Sequence, residues 1–179
     1  MRRFLAWSWA ASIALLGCTS CSWFPPWFPL VPDKRTPADH AHELDAMCRE
    51  DGGPLASDAL SPDVIESIEA AYMHVNQGAG GDQRLRGVNV HMRPTVNTPV
   101  GVLQRALECH EAAVTLGHAP ELPEDPYVLP GSWLDIDVSV TKEGLMAAVL
   151  SDSPDDARRM VERAHKFAPS ARVTIAPQP

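Results

Sequence analysis

The N-terminus is the feature that most limits what this chain can fold into. Arg2 and Arg3 precede an apolar stretch, residues 4–16, that only two serines interrupt. A short basic segment followed by a short apolar one is typical of a secretory signal peptide. The stretch is shorter than the roughly 18 apolar residues that a membrane-spanning helix needs. We therefore predict that residues 1–17 are a signal peptide and that the rest of the chain folds outside the cytoplasm.

The apolar stretch ends in the four residues Leu15-Leu16-Gly17-Cys18. They resemble the lipobox of bacterial lipoproteins, in which an apolar and a small residue precede the cysteine that receives diacylglycerol. The resemblance implies cleavage between Gly17 and Cys18 and lipid attachment at Cys18. In this class a residue other than Asp directly after the lipidated cysteine implies transfer to the outer membrane, and Thr19 stands at that position. The implied location is the outer membrane, with the protein facing the periplasm.

Charge restricts the partners of the mature chain. Removal of residues 1–17 leaves 162 of the 179 residues and takes away both N-terminal arginines, which moves the formal net charge from −8 to −10. An acidic chain without a cluster of Lys and Arg does not suit nucleic acid, because phosphate binding needs cations on one face. Attachment to the membrane then depends on the acyl chains rather than on charge.

Residues 18–36 combine the lipidated cysteine with a segment rich in proline and aromatic residues. Proline recurs too often there for a helix or a sheet, which predicts a semi-rigid, extended tether. Its aromatic rings suit the bilayer interface, where amphipathic rings are favoured, and equally suit packing onto the folded domain. Both interpretations stay open from the sequence.

Residues 37–77 have the pattern of two short helices. The first is predicted over residues 39–48. Ser61 suits the cap of the second, and Pro62 suits its first turn. Apolar residues then follow at three- and four-residue spacings, at Val64, Ile65, Ile68, Ala71, Tyr72 and Val75.

Residues 86–177 alternate between the two hydrophobic periods. The period of two, typical of strands, occurs near residues 88–92, 134–140, 145–150 and 171–175, and the helical period occurs near 98–116 and 153–167. The resulting order, β-α-β-β-α-β, is that of ferredoxin-like folds, with both helices on one face of an antiparallel sheet. We therefore predict an α+β domain of this kind. Many unrelated proteins share the arrangement, so it does not indicate function.

Three cysteines remain besides Cys18, and they predict a disulfide. In an oxidising compartment a pair of cysteines favours a disulfide over a metal or redox site. Cys21 lies next to the membrane anchor, so we predict a bond between Cys48 and Cys109 that joins the first helix to the helix near 98–116. Cys21 would then stay free or link two molecules.

His110 has two interpretations. It lies between Leu107 and Val114 on the inward face of its helix, which predicts a buried structural residue that leucine replaces at small cost. Alternatively, Cys109, His110 and His118 could hold a soft metal, because thiolate and imidazole are suitable ligands. No Cys-x-x-Cys or His-Glu-x-x-His spacing is present, so the structural interpretation is favoured and no cofactor is predicted.

Catalysis is the less favoured class of function. Asp135 and Asp137 stand two apart on one predicted strand, and a carboxylate pair can serve acid–base chemistry. A solvated strand face explains them more simply. We predict a lipid-anchored, non-catalytic domain that binds an envelope protein or another envelope component. The alternatives are a periplasmic soft-metal-binding protein and, third, a hydrolase.

Overall fold

The computed structural model describes residues 35–50, 60–75, 82–93 and 98–174. These residues contain a five-stranded mixed sheet and three α-helices. The predicted signal peptide, Cys18, Cys21 and the predicted tether lie outside these residues. The predicted α+β class is confirmed. In chain order the elements are α1 (Pro37–Glu50), β1 (Ile65–Val75), β2 (Asp82–Met92), α2 (Val100–Thr115), β3 (Asp135–Thr141), β4 (Gly144–Leu150), α3 (Pro154–Phe167) and β5 (Arg172–Thr174).

The strands lie in the order β3-β4-β2-β1-β5. All neighbours are antiparallel except β1 and β5, which are parallel. The sequence predicted four strands, and the described sheet has a fifth, β1, between β2 and β5. The segment that contains α1 and β1 is therefore not a separate helical segment before the sheet. Strand β1 is one of the inner strands of the sheet.

The main core lies between one face of the sheet and the helices α2 and α3. Strands β2, β3 and β4 alternate as predicted, with every second side chain buried against the helices. The buried members include Val88, Val90, Ile136, Val138 and Val149 from the sheet and Leu103, Leu107, Met160 and Ala164 from the helices, each at most 4% exposed. Val140, which the alternation also predicts to face inward, is 73% exposed near the end of the edge strand β3.

The second predicted helix is wrong, because residues 65–75 form the strand β1. Ser61 and Pro62 do begin a helical turn, but it is a 3₁₀ turn of three residues, Pro62–Val64. The register of β1 on β2 shifts between Ile65 and Ser67, which is the signature of a β-bulge. A bulge adds one residue, so Ile65 and Ile68 are both buried although they stand three apart. The bulge thus imitates the spacing of a helix.

Helix α1 packs on α2 beside the main core. Ala41, Leu44 and Ala112 form a second, small cluster there. The predicted disulfide between Cys48 and Cys109 joins the two helices, with the Cα atoms 5.8 Å apart. Because α1 covers its flank, α2 is buried over a wider face than its leucine stripe alone indicates. Among the described helices, none is both long enough and apolar enough to cross a membrane.

Candidate functional site

A cleft of about 250 Å³ opens between α1, α2 and the start of β3. Four acidic residues line it: Glu43 from α1, Glu108 and Glu111 from α2, and Asp135 from β3. Of the described residues that line the cleft, none is Lys or Arg. The helix pair and the sheet edge thus bring together carboxyl groups that are far apart in the sequence.

Glu111 is the buried member of this set. Its side chain is 1% exposed, and its Oε1 accepts a hydrogen bond of 2.8 Å from the backbone N–H of Leu134. Its other oxygen, Oε2, is buried and has no hydrogen-bond partner within the described residues. A buried polar atom without a partner is uncommon in folded proteins, because it has given up water without compensation.

Burial raises the pKa of Glu111 from its ordinary 4.5 to about 9. Loss of hydration is the largest cause, and the carboxylates of Glu108, Asp125 and Asp135 add to it, whereas the Leu134 N–H acts in the opposite direction. Glu111 is therefore a neutral carboxylic acid at pH 7. Since Oε1 accepts from Leu134, the proton belongs on Oε2, where the acid can donate a hydrogen bond.

The acidic residues at the rim have partners of their own. Glu43 lies 3.0 Å from the guanidinium of Arg35, and Glu108 accepts a 3.0 Å hydrogen bond from Gln104. Arg105 also lies 3.5 Å from Glu108. The Arg35–Glu43 pair is exposed and the Arg105–Glu108 pair is partly exposed, so each contributes about 1 kcal/mol or less and leaves the carboxylates available to other groups.

Aromatic and apolar side chains form the remaining walls. Trp133 stacks on His40 with ring centroids 5.4 Å apart and an angle of 12° between the planes. Leu44, Met47 and Ile136 line the same cleft. The cleft therefore combines acidic groups with aliphatic and aromatic surface.

His110 is buried, as predicted, at 3% exposure. Its Nε2 lies 2.6 Å from Oδ2 of Asp125, which is itself fully buried. The other oxygen of Asp125 accepts from the backbone N–H of Tyr127 at 2.8 Å, and Arg163 donates to the Asp125 carbonyl at 3.0 Å. The bonds from His110 and Arg163 fix the loop between α2 and β3 to the helices α2 and α3. Because that loop ends at Trp133 and Leu134, the pair positions one wall of the cleft.

The predicted metal ligands are not brought together. Cys109 is bonded to Cys48, so its thiolate is unavailable. His110 faces Asp125, and Nδ1 of His118 lies 3.6 Å from Asp45 on α1. Within residues 35–50, 60–75, 82–93 and 98–174, no group of three His, Cys, Asp or Glu side chains has an arrangement that could hold a metal ion.

Sequence reasoning named Asp135 and missed Glu111. Asp135 and Asp137 are both exposed on β3, in keeping with a wet strand face, and only Asp135 lines the cleft. A signal for Glu111 is present: Leu103, Leu107 and Glu111 stand four apart in one row of α2. An acid that continues a buried leucine row predicts a buried carboxyl group.

Comparison with known proteins adds no relative from which a function could be carried over. No protein-family model, no curated protein and no solved structure matches the chain. The residues of the cleft and the N-terminal sequence are therefore the features that bear on function.

Proposed function

We propose that this chain is a lipid-anchored envelope protein whose domain is a non-catalytic binding module, with the cleft over Glu111 as its binding site. The supporting observation is the buried Oε2 of Glu111, which has no hydrogen-bond partner among the residues that the structure describes. Leaving such a group without a hydrogen bond costs about 1 to 3 kcal/mol, which a bound group can recover. The N-terminal sequence supplies the anchor, and the outer membrane facing the periplasm is its proposed location.

The size of the cleft supports the binding of a small group. Sites for drug-sized ligands have volumes of about 300 to 1,000 Å³, and this one is smaller, at about 250 Å³. It suits one side chain of a partner protein or one small molecule. An envelope protein that presents such a side chain is the partner we propose.

We also propose that β2 to β5 are a ferredoxin-like unit into which β1 is inserted. Without β1 the strand order would read β3-β4-β2-β5, which is the order of two interlocked βαβ units. The position of α2 and α3 in one core on one face supports the same interpretation. In this proposal β1 separates β5 from β2 and adds an inner strand.

The anchor is tested by replacing the lipidated cysteine. We expect Cys18→Ser to abolish incorporation of labelled palmitate and to release the protein from the membrane fraction. Cys21→Ser is the matched control and should keep both label and membrane association. Recovery of Cys18→Ser in the membrane fraction, together with a wild type that takes up no labelled palmitate, would contradict the lipid anchor.

The binding site is tested by site-specific photo-crosslinking in intact cells. Met47 lines the cleft and is 41% exposed, and Val173 on the far edge strand β5 is 53% exposed. A photoreactive residue at Met47 should give an adduct of one discrete mass, and the same residue at Val173 should not. Failure to form an adduct at Met47, or equal adducts at both positions, would contradict the binding of a partner protein in the cleft.

A further inference from the structure

We propose that the cleft binds a single organic cation, the guanidinium or ammonium group of a basic side chain, and that this cation displaces the proton of Glu111. The inference rests on the proposed function of the cleft and names the chemical class of its ligand. It follows from the charges that line the cleft, from its aromatic wall and from the buried Glu111 that lines it, whose Oε2 has no hydrogen-bond partner in the described part of the chain.

Charge selects a cation. The titratable groups that face Glu111 are His40 and Glu43 from α1, Glu108 from α2 and Asp135 from β3, and Asp125 lies behind it in the loop. Arg35 and Arg105 pair with the rim carboxylates without lining the cleft. Among the ionisable groups that line the cleft, an anionic ligand would meet three carboxylates, the neutral acid of Glu111 and one histidine. A cation gains from every carboxylate that faces it.

The walls suit the rest of a basic side chain. Trp133 lines the cleft, and an indole ring is the strongest aromatic partner for a cation. Leu44 and Met47 offer aliphatic surface to the stem of a Lys or Arg, which packs along apolar groups while its charged end finds a polar partner. The volume of about 250 Å³ is enough for one such side chain and its immediate water.

A cation changes the protonation of Glu111. An opposite charge within about 4 to 6 Å favours the ionised carboxyl group. The proton then leaves Oε2 for solvent, and the carboxylate pairs with an N–H of the ligand. One positive charge enters as another departs, so the buried end of the cleft never holds an isolated carboxylate.

Proton release makes the affinity depend on pH. The pKa of Glu111 in the empty cleft is about 9, so the acid is protonated over the whole range from pH 6.5 to 8.5. Binding that releases one proton becomes tighter by up to about tenfold for each pH unit in that range. The same binding should release about one proton to the buffer for each cation bound.

Isothermal titration of the full chain in detergent tests the proposal. The probes are Nα-acetyl-arginine methylamide, the corresponding lysine compound and the uncharged citrulline compound, each at pH 6.5, 7.5 and 8.5 in two buffers of different ionisation enthalpy. We expect saturable binding of one or both cationic probes, no binding of the citrulline compound and a rise in affinity with pH. Equal binding of citrulline, or cation binding without pH dependence and proton release, would overturn the proposal. Spermidine in place of the peptide probes distinguishes a free polyamine from a side chain of a partner.

Glu111→Gln separates this role from a role in folding. The amide oxygen still accepts from Leu134, so the variant should fold, but no proton can leave and no carboxylate forms. We expect at least a tenfold loss of affinity at pH 8.5 and no proton release. Glu162→Gln, an exposed position on α3 outside the cleft, is the matched control and should bind like the wild type. Unchanged binding by Glu111→Gln would contradict the assignment.

The outcomes separate this inference from the proposed function. A discrete adduct at Met47 with no binding of any cationic probe would leave a binding module with a different ligand class. Binding of the probes with no adduct at Met47 would leave a site for a free small cation and remove the protein partner.

Discussion

His110 and Glu111 are neighbours in sequence, but α2 turns their side chains into different surroundings. The imidazole of His110 meets the Asp125 carboxylate at 2.6 Å, which satisfies a buried polar pair. The carboxyl group of Glu111 accepts one hydrogen bond, from the backbone N–H of Leu134. Its Oε2 has no hydrogen-bond partner within the described residues. One residue is therefore suited to holding a loop, and the other to meeting a ligand.

The stability of the domain should depend on pH through Glu111. The raised pKa, about 9 against 4.5, means that folding takes up a proton between these two values. The free energy of unfolding should therefore fall as the pH rises from about 4.5 to 9, by at most about 1.4 kcal/mol per pH unit. Glu111→Gln should remove this contribution and be more stable than the wild type at pH 8.5. Urea unfolding at several pH values measures the difference.

The control for this pH dependence is Glu162→Gln, since that side chain is exposed. Its profile should run parallel to that of the wild type. Parallel profiles for Glu111→Gln as well would contradict a buried, neutral Glu111.

Replacement of His110 should cost more than its sequence position alone predicts. Within the described residues, His110→Leu leaves the buried Asp125 carboxylate with the backbone N–H of Tyr127 as its one remaining hydrogen-bond donor. Breaking a buried pair in this way costs about 3 to 5 kcal/mol. Adding Asp125→Asn to His110→Leu should recover part of the loss, because the amide is uncharged. Urea unfolding at pH 7 measures both variants, and a cost below about 1 kcal/mol for His110→Leu would exclude the pairing.

Among the elements, β1 shows that a β-bulge can give a strand the hydrophobic spacing of a helix. Helix α3 follows the sequence rules, because Ser153 caps it by accepting from the Asp156 N–H at 3.3 Å and Pro154 occupies the first turn. The same signals precede β1, at Ser61 and Pro62, but only a single turn follows. Pairing with β2 along most of its length stabilises the strand instead. Capping signals start a helix but do not sustain it.

Gly87 on β2 marks the second register shift of that pairing, opposite Ala71. Its φ of +156° lies in a region that other residues rarely adopt, and a Cβ there would overlap the carbonyl oxygen of Val149. Gly87→Ala should therefore destabilise the domain by about 2 to 4 kcal/mol, since the two inner strands would have to separate. The midpoint of urea unfolding measures the change.

Gly101 in α2 is the matched control for Gly87. A Cβ at Gly101 meets nothing within 4 Å. Alanine is a better helix former than glycine, so Gly101→Ala should stabilise the domain by up to about 1 kcal/mol. Equal effects of the two substitutions would contradict the close packing of β2 on β4.

At the scale of the molecule, the disulfide holds α1 against the rest of the domain. In the described residues, the apolar cluster that α1 shares with α2 is small, so burial alone provides little to keep α1 in place. The bond closes a loop with a sequence separation of 61 residues, for which the chain-entropy model gives about 4 kcal/mol. The cleft, one wall of which is α1, should therefore depend on the bond.

Removal of the bond tests this dependence. The double variant Cys48→Ala/Cys109→Ala should lose about 2 to 4 kcal/mol of unfolding free energy. Amide hydrogens of α1 should exchange faster than those of β2 and β4, because α1 loses its covalent link. Reduction of the wild type should reproduce both effects. Unchanged stability and unchanged exchange in α1 would show that packing alone holds the helix.

Local features whose causes lie within a few residues follow from the amino-acid sequence alone. Alternation predicted β2, β3 and β4, the apolar stripe predicted α2 and its buried His110, and the cap predicted α3. The number of cysteines and the predicted compartment together predicted the bond between Cys48 and Cys109. These features depend on hydrophobic period, capping and redox chemistry, all of which can be read from neighbouring residues.

Features that depend on contacts between distant segments arise when the chain folds. The bulge in β1 exists because β2 pairs with it, and the partner of His110 is a loop residue that no helical period identifies. Glu111 continues a leucine row in sequence, but its raised pKa arises because α1 and the start of β3 enclose it and exclude water. Burial depends on what covers a residue, and that is decided when α1, α2 and β3 assemble.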